Sequence, residues 1–327
     1  MRWIFAALAG MMIFISVMFI RLLSESGFQE EKKNFIEQPK YHFQVLIQNK
    51  DEYFGNLFQQ GAIAASEELG VFTEFIQVSS GDIDSLENAV ELALFAGIDG
   101  IALKAVDSIQ SQGIIEKVKK NKTEIVVYEN DNFTISNTTM IGSNNYAIGS
   151  MVGNMAVKAA EDSANVAIIL GNSEIKGEEQ YKNLIVQGIM DSFSKYPSIK
   201  ITDIYSINPE LFETEKVALS AIASNNKTSL IICVDERSTP GVAQVLVDNN
   251  KVGDIQLIGY GAMPQTLDYI RRGVVYGTIC PDAYDIGYYT IQKLMQEIEG
   301  ENSSDFINTD LYSIDLSNFE LYLKGLE

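Results

Sequence analysis

The stretch "YHFQVLIQNKDEYFGNLFQQGAIAASEELG", Tyr41 to Gly70, decides the fold class. Its first eight residues, "YHFQVLIQ", carry the apolar density of a buried strand. From "YFGNLFQQGAIAASEEL" onward the apolar positions recur at helical spacing, and Gly70 supplies the stop. A strand followed at once by an amphipathic helix is the opening half of a β-α-β unit, so the next question is whether the pattern continues.

It does. "FTEFIQV", a helix over 83–96, "DGIALKAV", a helix over 108–119 and "TEIVVY" complete one α/β layer. A second series follows: helix 147–160, "ANVAIILG", helix 178–193, "IKITDIYS", helix 213–223, "TSLIICV", helix 240–249 and "IQLIGYG". Alternation of this kind predicts parallel sheets covered by helices on both faces. Two such domains stand in tandem, and "VVYGTICP", a helix over 286–298 and "LYSIDL" are left over.

Parallel crossovers bring the carboxyl ends of the strands to one edge, and ligands bind in the crevice outside those ends. That gives meaning to "IVVYENDN", Ile125 to Asn132, where an apolar strand runs into Glu129 and Asn130 without Gly or Pro. The pair either lines such a crevice or forms an exposed polar turn.

Composition narrows the function. The chain has 327 residues, 46% of them hydrophobic, which suffices for two cores. A formal charge of -20 argues against a nucleic-acid partner, which requires clustered Lys and Arg. The only histidine, His42, leaves no multi-histidine metal site or His-based triad with a partner His. The two cysteines, Cys233 and Cys280, fall in strand-like runs and read as buried thiols. No phosphate-cradling glycine motif occurs, and no cofactor or metal ligand set is indicated.

The amino terminus is an address. From Trp3 to Ile20 the only polar side chain is Ser16, and Leu22 and Leu23 prolong the run past Arg21. That length can cross a bilayer and exceeds the apolar region of ordinary signal peptides, so residues 1–23 read as a retained transmembrane signal-anchor. Cleavage after "SES", with secretion, is the lesser alternative. Arg2 at the start places the rest outside the cell membrane, and residues 24–40 form a polar tether.

"DEYFGNLFQQGAIAASEELG" resembles the first strand-to-helix segment of the ribose- and galactose-type periplasmic binding proteins. "DGIALKAVDS", "MIGSNNYAIGSMVG", "QLIGYGAMPQTLDYIRRGVVYGTI" and "PDAYDIGYYTIQKL" continue the resemblance in the same order to the carboxyl terminus. The resemblance implies two Rossmann-like parallel-sheet lobes joined by a three-segment hinge, with crossings near 141–143 and 280–281. Lobe one would comprise 41–142 plus 281–307, and lobe two 143–280 plus 308–327. It also implies binding without chemistry: a sugar or similar polar solute, delivered to an ABC-type permease or reported to a membrane sensor histidine kinase.

Carried over by position, Tyr53 and Phe54 match aromatic residues that stack on a sugar ring, Glu129 a carboxylate that accepts from hydroxyls, and Asp235 a polar contact from the second lobe. Asn130 stands where ribose binders carry Arg. Asp51 and Glu236 are secondary candidates. On the residues alone, Tyr53 and Phe54 also suit a hydrophobic staple and Asp235 a helix cap, as the lesser alternatives. Lys104 ends its strand either as a ligand charge or as the partner of an acid. Departures from the ribose pattern are Ile185 in place of Arg, Gly261 in place of an acid and Pro281 in place of Gln. Lys182, Asn183 and Asp282 stand as replacement contacts. The departures argue against ribose and leave a second reading, a ligand-less interaction module acting on a membrane sensor.

Overall fold

The computed structural model describes residues 39–48, 53–79, 82–104, 108–129, 138–171, 183–208, 213–301 and 306–324. Met1–Lys40 and Tyr41–Glu327 are separate units. The expected membrane span and most of the tether lie outside the described residues. Among the described residues no helix is long and apolar enough to cross a membrane.

Tyr41–Glu327 is built on two six-stranded sheets. The first contains β1 (His42–Gln48), β2 (Phe72–Val78), β3 (Gly100–Leu103), β4 (Glu124–Tyr128), β5 (Thr139–Gly142) and β11 (Phe306–Asn308), in the order β11-β5-β4-β3-β1-β2, all parallel. The second contains β6 (Ala164–Leu170), β7 (Ile199–Ser206), β8 (Leu230–Cys233), β9 (Gln256–Tyr260), β10 (Gly277–Pro281) and β12 (Leu311–Asp315). Its order is β12-β10-β9-β8-β6-β7, parallel except for β12, which runs antiparallel to β10. Each sheet reverses winding direction beside its first strand, between β1 and β3 and between β6 and β8. Ligands of open α/β sheets bind outside such points.

The helices are α1 (Tyr53–Leu69), α2 (Ile83–Ala96), α3 (Ser108–Lys120), α4 (Asn145–Ala159), α5 (Leu184–Phe193), α6 (Glu213–Ile222), α7 (Ser238–Asp248), α8 (Pro264–Arg271), α9 (Ala283–Ile298) and α10 (Phe319–Lys324). Central strands are predominantly apolar because helices cover both faces. In β1, Leu46 packs into one core with Leu86 and Ile115, while Val45 and Ile47 enter the other with Phe58 and Leu294. In the second sheet Ala167 and Ile169 face Val242 and Leu246, and Val166 and Ile168 face Val152 and Ile189. Alternate side chains along one strand thus seed two cores.

The chain passes between the sheets three times: from β5 to α4, from β10 to α9, and from β11 to β12. Hydrogen bonds tie these passages together. Thr309 N–H donates to Gly142 O at 3.0 Å, Asn144 N–H to Asn308 Oδ1 at 3.1 Å and Asp282 N–H to Asp310 O at 3.1 Å. Cys233 and Cys280 are buried free thiols.

Some elements differ from their expected bounds. Helix α9 begins three residues before the expected 286, because Asp282 Oδ1 accepts from Asp285 N–H and caps it there. Described helix α5 begins at Leu184 behind the Asn183 cap, and the earlier part of the expected 178–193 helix falls largely among undescribed residues. Strands β5 and β11 and helices α8 and α10 were not anticipated as elements.

Candidate functional site

Between the carboxyl edges of the two sheets lies a narrow, partly open cleft, about 320 Å³ when its solvent-filled mouth is counted. The first lobe contributes Tyr53, Phe54 and Leu57 from the start of α1, Glu129 from the end of β4 and Ala283 from the start of α9. The second contributes Glu236 beyond β8, Tyr260 to Ala262 at the end of β9, Cys280 and Pro281 at the end of β10, and Tyr322 from α10.

Phe54 is anchored by a ladder of rings. It stacks on Phe58 at a centroid distance of 6.3 Å, and Phe58 meets Tyr128 at 4.5 Å. Tyr128 is buried and its hydroxyl donates to Leu46 O at 2.8 Å. One end of the ladder is core and the other is the cleft wall.

Glu129 turns the chain directly after β4 at φ 48°, in the left-handed region that a non-glycine residue occupies at a cost. Its N–H donates to Ile141 O at 2.8 Å, which prolongs the β4–β5 pairing and holds the turn. Its Oε2 lies 3.2 Å from Lys104 Nζ, with the side chains 23% and 25% exposed. Of the two readings of Lys104, the structure realises the pairing with an acid.

Glu236 reaches the cleft because position 261 is glycine. Gly261 has φ +80°, and a Cβ there would stand 2.5 Å from Glu236 Cγ. Where the resemblance expects an acid at the end of β9, the carboxylate comes instead from the end of β8, through space the missing side chain vacates.

Tyr53 begins a first-lobe helix, yet packs against the core of the second lobe alongside Tyr322. Burial raises the pKa of both phenols and keeps them protonated, and the Glu236 carboxylate adds to the effect at Tyr53. The Cys280 thiol donates to the Tyr322 hydroxyl at 3.8 Å. Burial pushes this thiol up to about 12, with Glu236 and Asp282 contributing negative potential. Cys280 is therefore a protonated wall residue, not a nucleophile.

The remaining predicted residues are placed as follows. Asp235 accepts from Arg237 N–H at 2.9 Å and Ser238 N–H at 3.1 Å, organising the turn into α7. Asn183 is 8% exposed and accepts from Ile185 N–H at 2.9 Å as the cap of α5. Asp282, between two lining residues, accepts from Asp285 N–H at 3.0 Å and from the Tyr312 hydroxyl at 2.6 Å. Asp51, Asn130 and Lys182 lie outside the described residues. Sequence reasoning missed Tyr260 and Tyr322. The strand "IQLIGY" signalled the first by ending on an aromatic, whereas nothing local signalled the second.

Residues 43–302 match the model of a family described as periplasmic binding protein domain. The D-allose-binding periplasmic protein of Escherichia coli strain K12 is 23% identical over 278 residues, covering 82% of this chain and 87% of that protein. Among solved structures, a glucose-galactose binding protein from Geobacillus stearothermophilus superposes with a TM-score of 0.76 at 23% identity, covering 85% of this chain and 98% of the other. The XylFII-LytSN complex contains a chain that superposes with a TM-score of 0.74 at 23% identity over 85% of this chain and 98% of the other. At these identities the structural likeness establishes the shared fold.

Proposed function

The chain belongs to the periplasmic binding protein domain family, and from that premise we propose that it captures a sugar or sugar-like polar solute between its lobes without transforming it. The observation that carries this reading is the cleft itself. It lies where the strands of both lobes end, and it presents the rings of Tyr53, Phe54 and Tyr260 together with the carboxylates of Glu129 and Glu236. Rings cover the C–H faces of such a solute, and carboxylates accept from its polar hydrogens. The D-allose and glucose-galactose relatives support a sugar. Dividing the lobes near 41–142 plus 281–307 and 143–280 plus 308–327, with Pro281 closing β10 of the second sheet and Asn308 closing β11 of the first, puts the hinge at the three passages.

The apolar run from Trp3 to Ile20 supports a membrane-held protein whose lobes stand outside the cell and hand the solute, or news of it, to a permease or a sensor kinase. The XylFII-LytSN complex is a precedent for a protein of this fold held by a second protein. One observation favours the alternative of a ligand-less module: Tyr53 packs straight into the second lobe's core, so the protein's own residues already bridge the lobes.

Thermal melting of the full chain in mild detergent, across hexoses, pentoses, inositols and nucleosides, tests the reading. A solute at 100 times its Kd adds about 2.7 kcal/mol to stability. Phe54→Ala should abolish the shift. A flat response to every solute, with partner recovery on detergent co-purification unaffected by Phe54→Ala, establishes the module instead.

A further inference from the structure

The cleft takes up the carboxyl edges of the sheets. The amino edge of the first sheet, on the other side of that lobe, carries apolar side chains that no core takes in. Among the described residues five large apolar side chains are more than half exposed, and three of them, Phe72 at 51%, Leu92 at 69% and Phe95 at 92%, belong to this edge. Phe72 opens β2, and its ring meets that of His42, the first residue of β1, at 4.8 Å. Helix α2 ends at the same place. Just beyond it, Asp99 donates its N–H to His42 O at 3.0 Å, and its carboxylate accepts from His42 N–H at 2.8 Å. Leu92 and Phe95, three residues apart, share the outer side of the last turn, whereas Val90 and Ala93 enter the core. Exposed apolar groups gathered on one edge mark a contact surface.

Helix α3 also ends here, since Glu124, which follows its closing turn, donates its N–H to Asp99 O at 3.1 Å. Lys117 on this helix is paired with Glu87 and Glu91 of α2, and the field of Lys119 reaches Glu124. Lys120 and Lys122 are exposed. In a chain of formal charge -20, this edge therefore mixes the two signs and escapes the repulsion that an acidic face meets at lipid headgroups.

The occupant follows from where the chain enters. Tyr41 and His42 lead into β1 at this edge, and residues 24–40 join them to the apolar run that Leu22 and Leu23 prolong. A coil of that length holds its ends on the order of 25 Å apart, so a bilayer that accepts the run lies within reach of this edge. Two or three apolar side chains cannot hold a free protein on lipid, but a tether makes the contact intramolecular, and a weak patch then suffices.

We propose that the amino edge of the first lobe rests on the bilayer surface, with Leu92 and Phe95 in the interfacial layer and Lys120 and Lys122 beside the lipid phosphates. This rests on the reading that the run from Trp3 to Ile20 holds the protein in a membrane, and adds to it a lipid contact made by the lobe itself.

The test uses the full chain reconstituted into vesicles of phosphatidylcholine, alone and mixed with phosphatidylglycerol. A nitroxide is placed on Ala96→Cys, at the exposed end of α2, and for reference on Leu219→Cys in α6 of the second lobe, the native thiols being buried. The ratio of collisions with oxygen, which concentrates in lipid, to collisions with a water-soluble nickel chelate should be several-fold higher at 96 than at 219. Phe95→Ser combined with Leu92→Ser should bring the two sites to parity while melting like the parent, because side chains this exposed leave the core intact. Lys120→Gln combined with Lys122→Gln should lower the ratio at 96 in both lipids, since both carry phosphate.

A label at 96 as open to the nickel chelate as the one at 219, in protein that floats with the vesicles after an alkaline wash, overturns the contact and leaves the membrane-held reading standing. A label shielded only when several copies share a vesicle assigns the edge to a second copy of the chain and overturns the lipid contact. Protein that does not float removes the membrane-held reading, and this inference with it.

Discussion

Both lobes close one face of their sheet with a pair of helices whose glycines meet the partner's backbone. In the first lobe, a Cβ on Gly61 of α1 would stand 2.0 Å from Tyr284 O, and one on Gly287 of α9 1.9 Å from Phe58 O. In the second, the distances are 2.0 Å from Gly149 of α4 to Ile185 O and 2.3 Å from Gly188 of α5 to Tyr146 O. The device is shared, but the wiring is not. Helices α4 and α5 are successive helices of the described chain, whereas α1 and α9 stand at opposite ends of it, with the second lobe between them. The first lobe therefore completes its cover only when the chain has passed through the other lobe and returned, and its loop-closure cost is correspondingly larger.

A second difference is charge. Under the first sheet, Lys293 on α9 is fully buried, with Nζ 3.0 Å from Glu297 Oε1, and Thr139 Oγ1 donates to that same oxygen at 2.8 Å. No ion pair with a fully buried member is seen in the second lobe among the described residues, whereas in the first the ammonium is buried and its carboxylate is 30% exposed. The largest expected effect falls here. Glu297→Gln should cost about 3 kcal/mol in a denaturant melt, because it leaves a buried ammonium unmatched, and Lys293→Met should cost distinctly less. Equal costs would mean that packing, not charge, holds this helix.

Next come the glycines. Gly61→Ala, Gly287→Ala and Gly149→Ala should each destabilise by about 2 kcal/mol, since a methyl group directed at backbone cannot be accommodated by a rotamer change. The thiols then show which lobe has loosened. Cys233 and Cys280 are both buried in the second lobe, so Gly149→Ala should speed their alkylation under native conditions. Gly61→Ala should leave that rate near the parent's if the lobes open separately. Equal acceleration by both would show the two lobes unfolding as one.

The smallest expected effect concerns the caps. Asp235→Ala should cost about 1 kcal/mol by freeing the N–H groups of Arg237 and Ser238. If its task is confined to that turn, solute affinity measured by titration should hold. A loss of affinity beyond that of Glu236→Gln would return Asp235 to the cleft wall.

How much of this was legible in sequence depended on element length. The unit from β1 to α1 and the helix over 83–96 were readable because each is long enough to show its period, and Asp82 and Gly97 punctuate the latter. Strand β11, with only "FIN", shows none. Helix α8 carried its signals in Pro264 at the start and Gly273 at φ +70° beyond the end, and these went unread within a longer fragment. The acids at strand ends were found as a class, but Asp and Asn serve a helix start and a ligand equally well. Asn183, Asp235 and Asp282 cap turns and helices, and Glu129 and Glu236 line the cleft.

By itself, the sequence determined two alternating α/β layers, an apolar amino-terminal run and a surplus of carboxylates where strands end, because periodicity, hydropathy and charge are properties of neighbouring residues. Only the tertiary structure decided which carboxylates meet the cleft, that Gly261 makes room for Glu236, and that Tyr322 joins Tyr53 from the far end of the chain. Those outcomes depend on backbone angles and on contacts between segments that the chain brings together only after three passages between the lobes, and no local pattern encodes such a meeting.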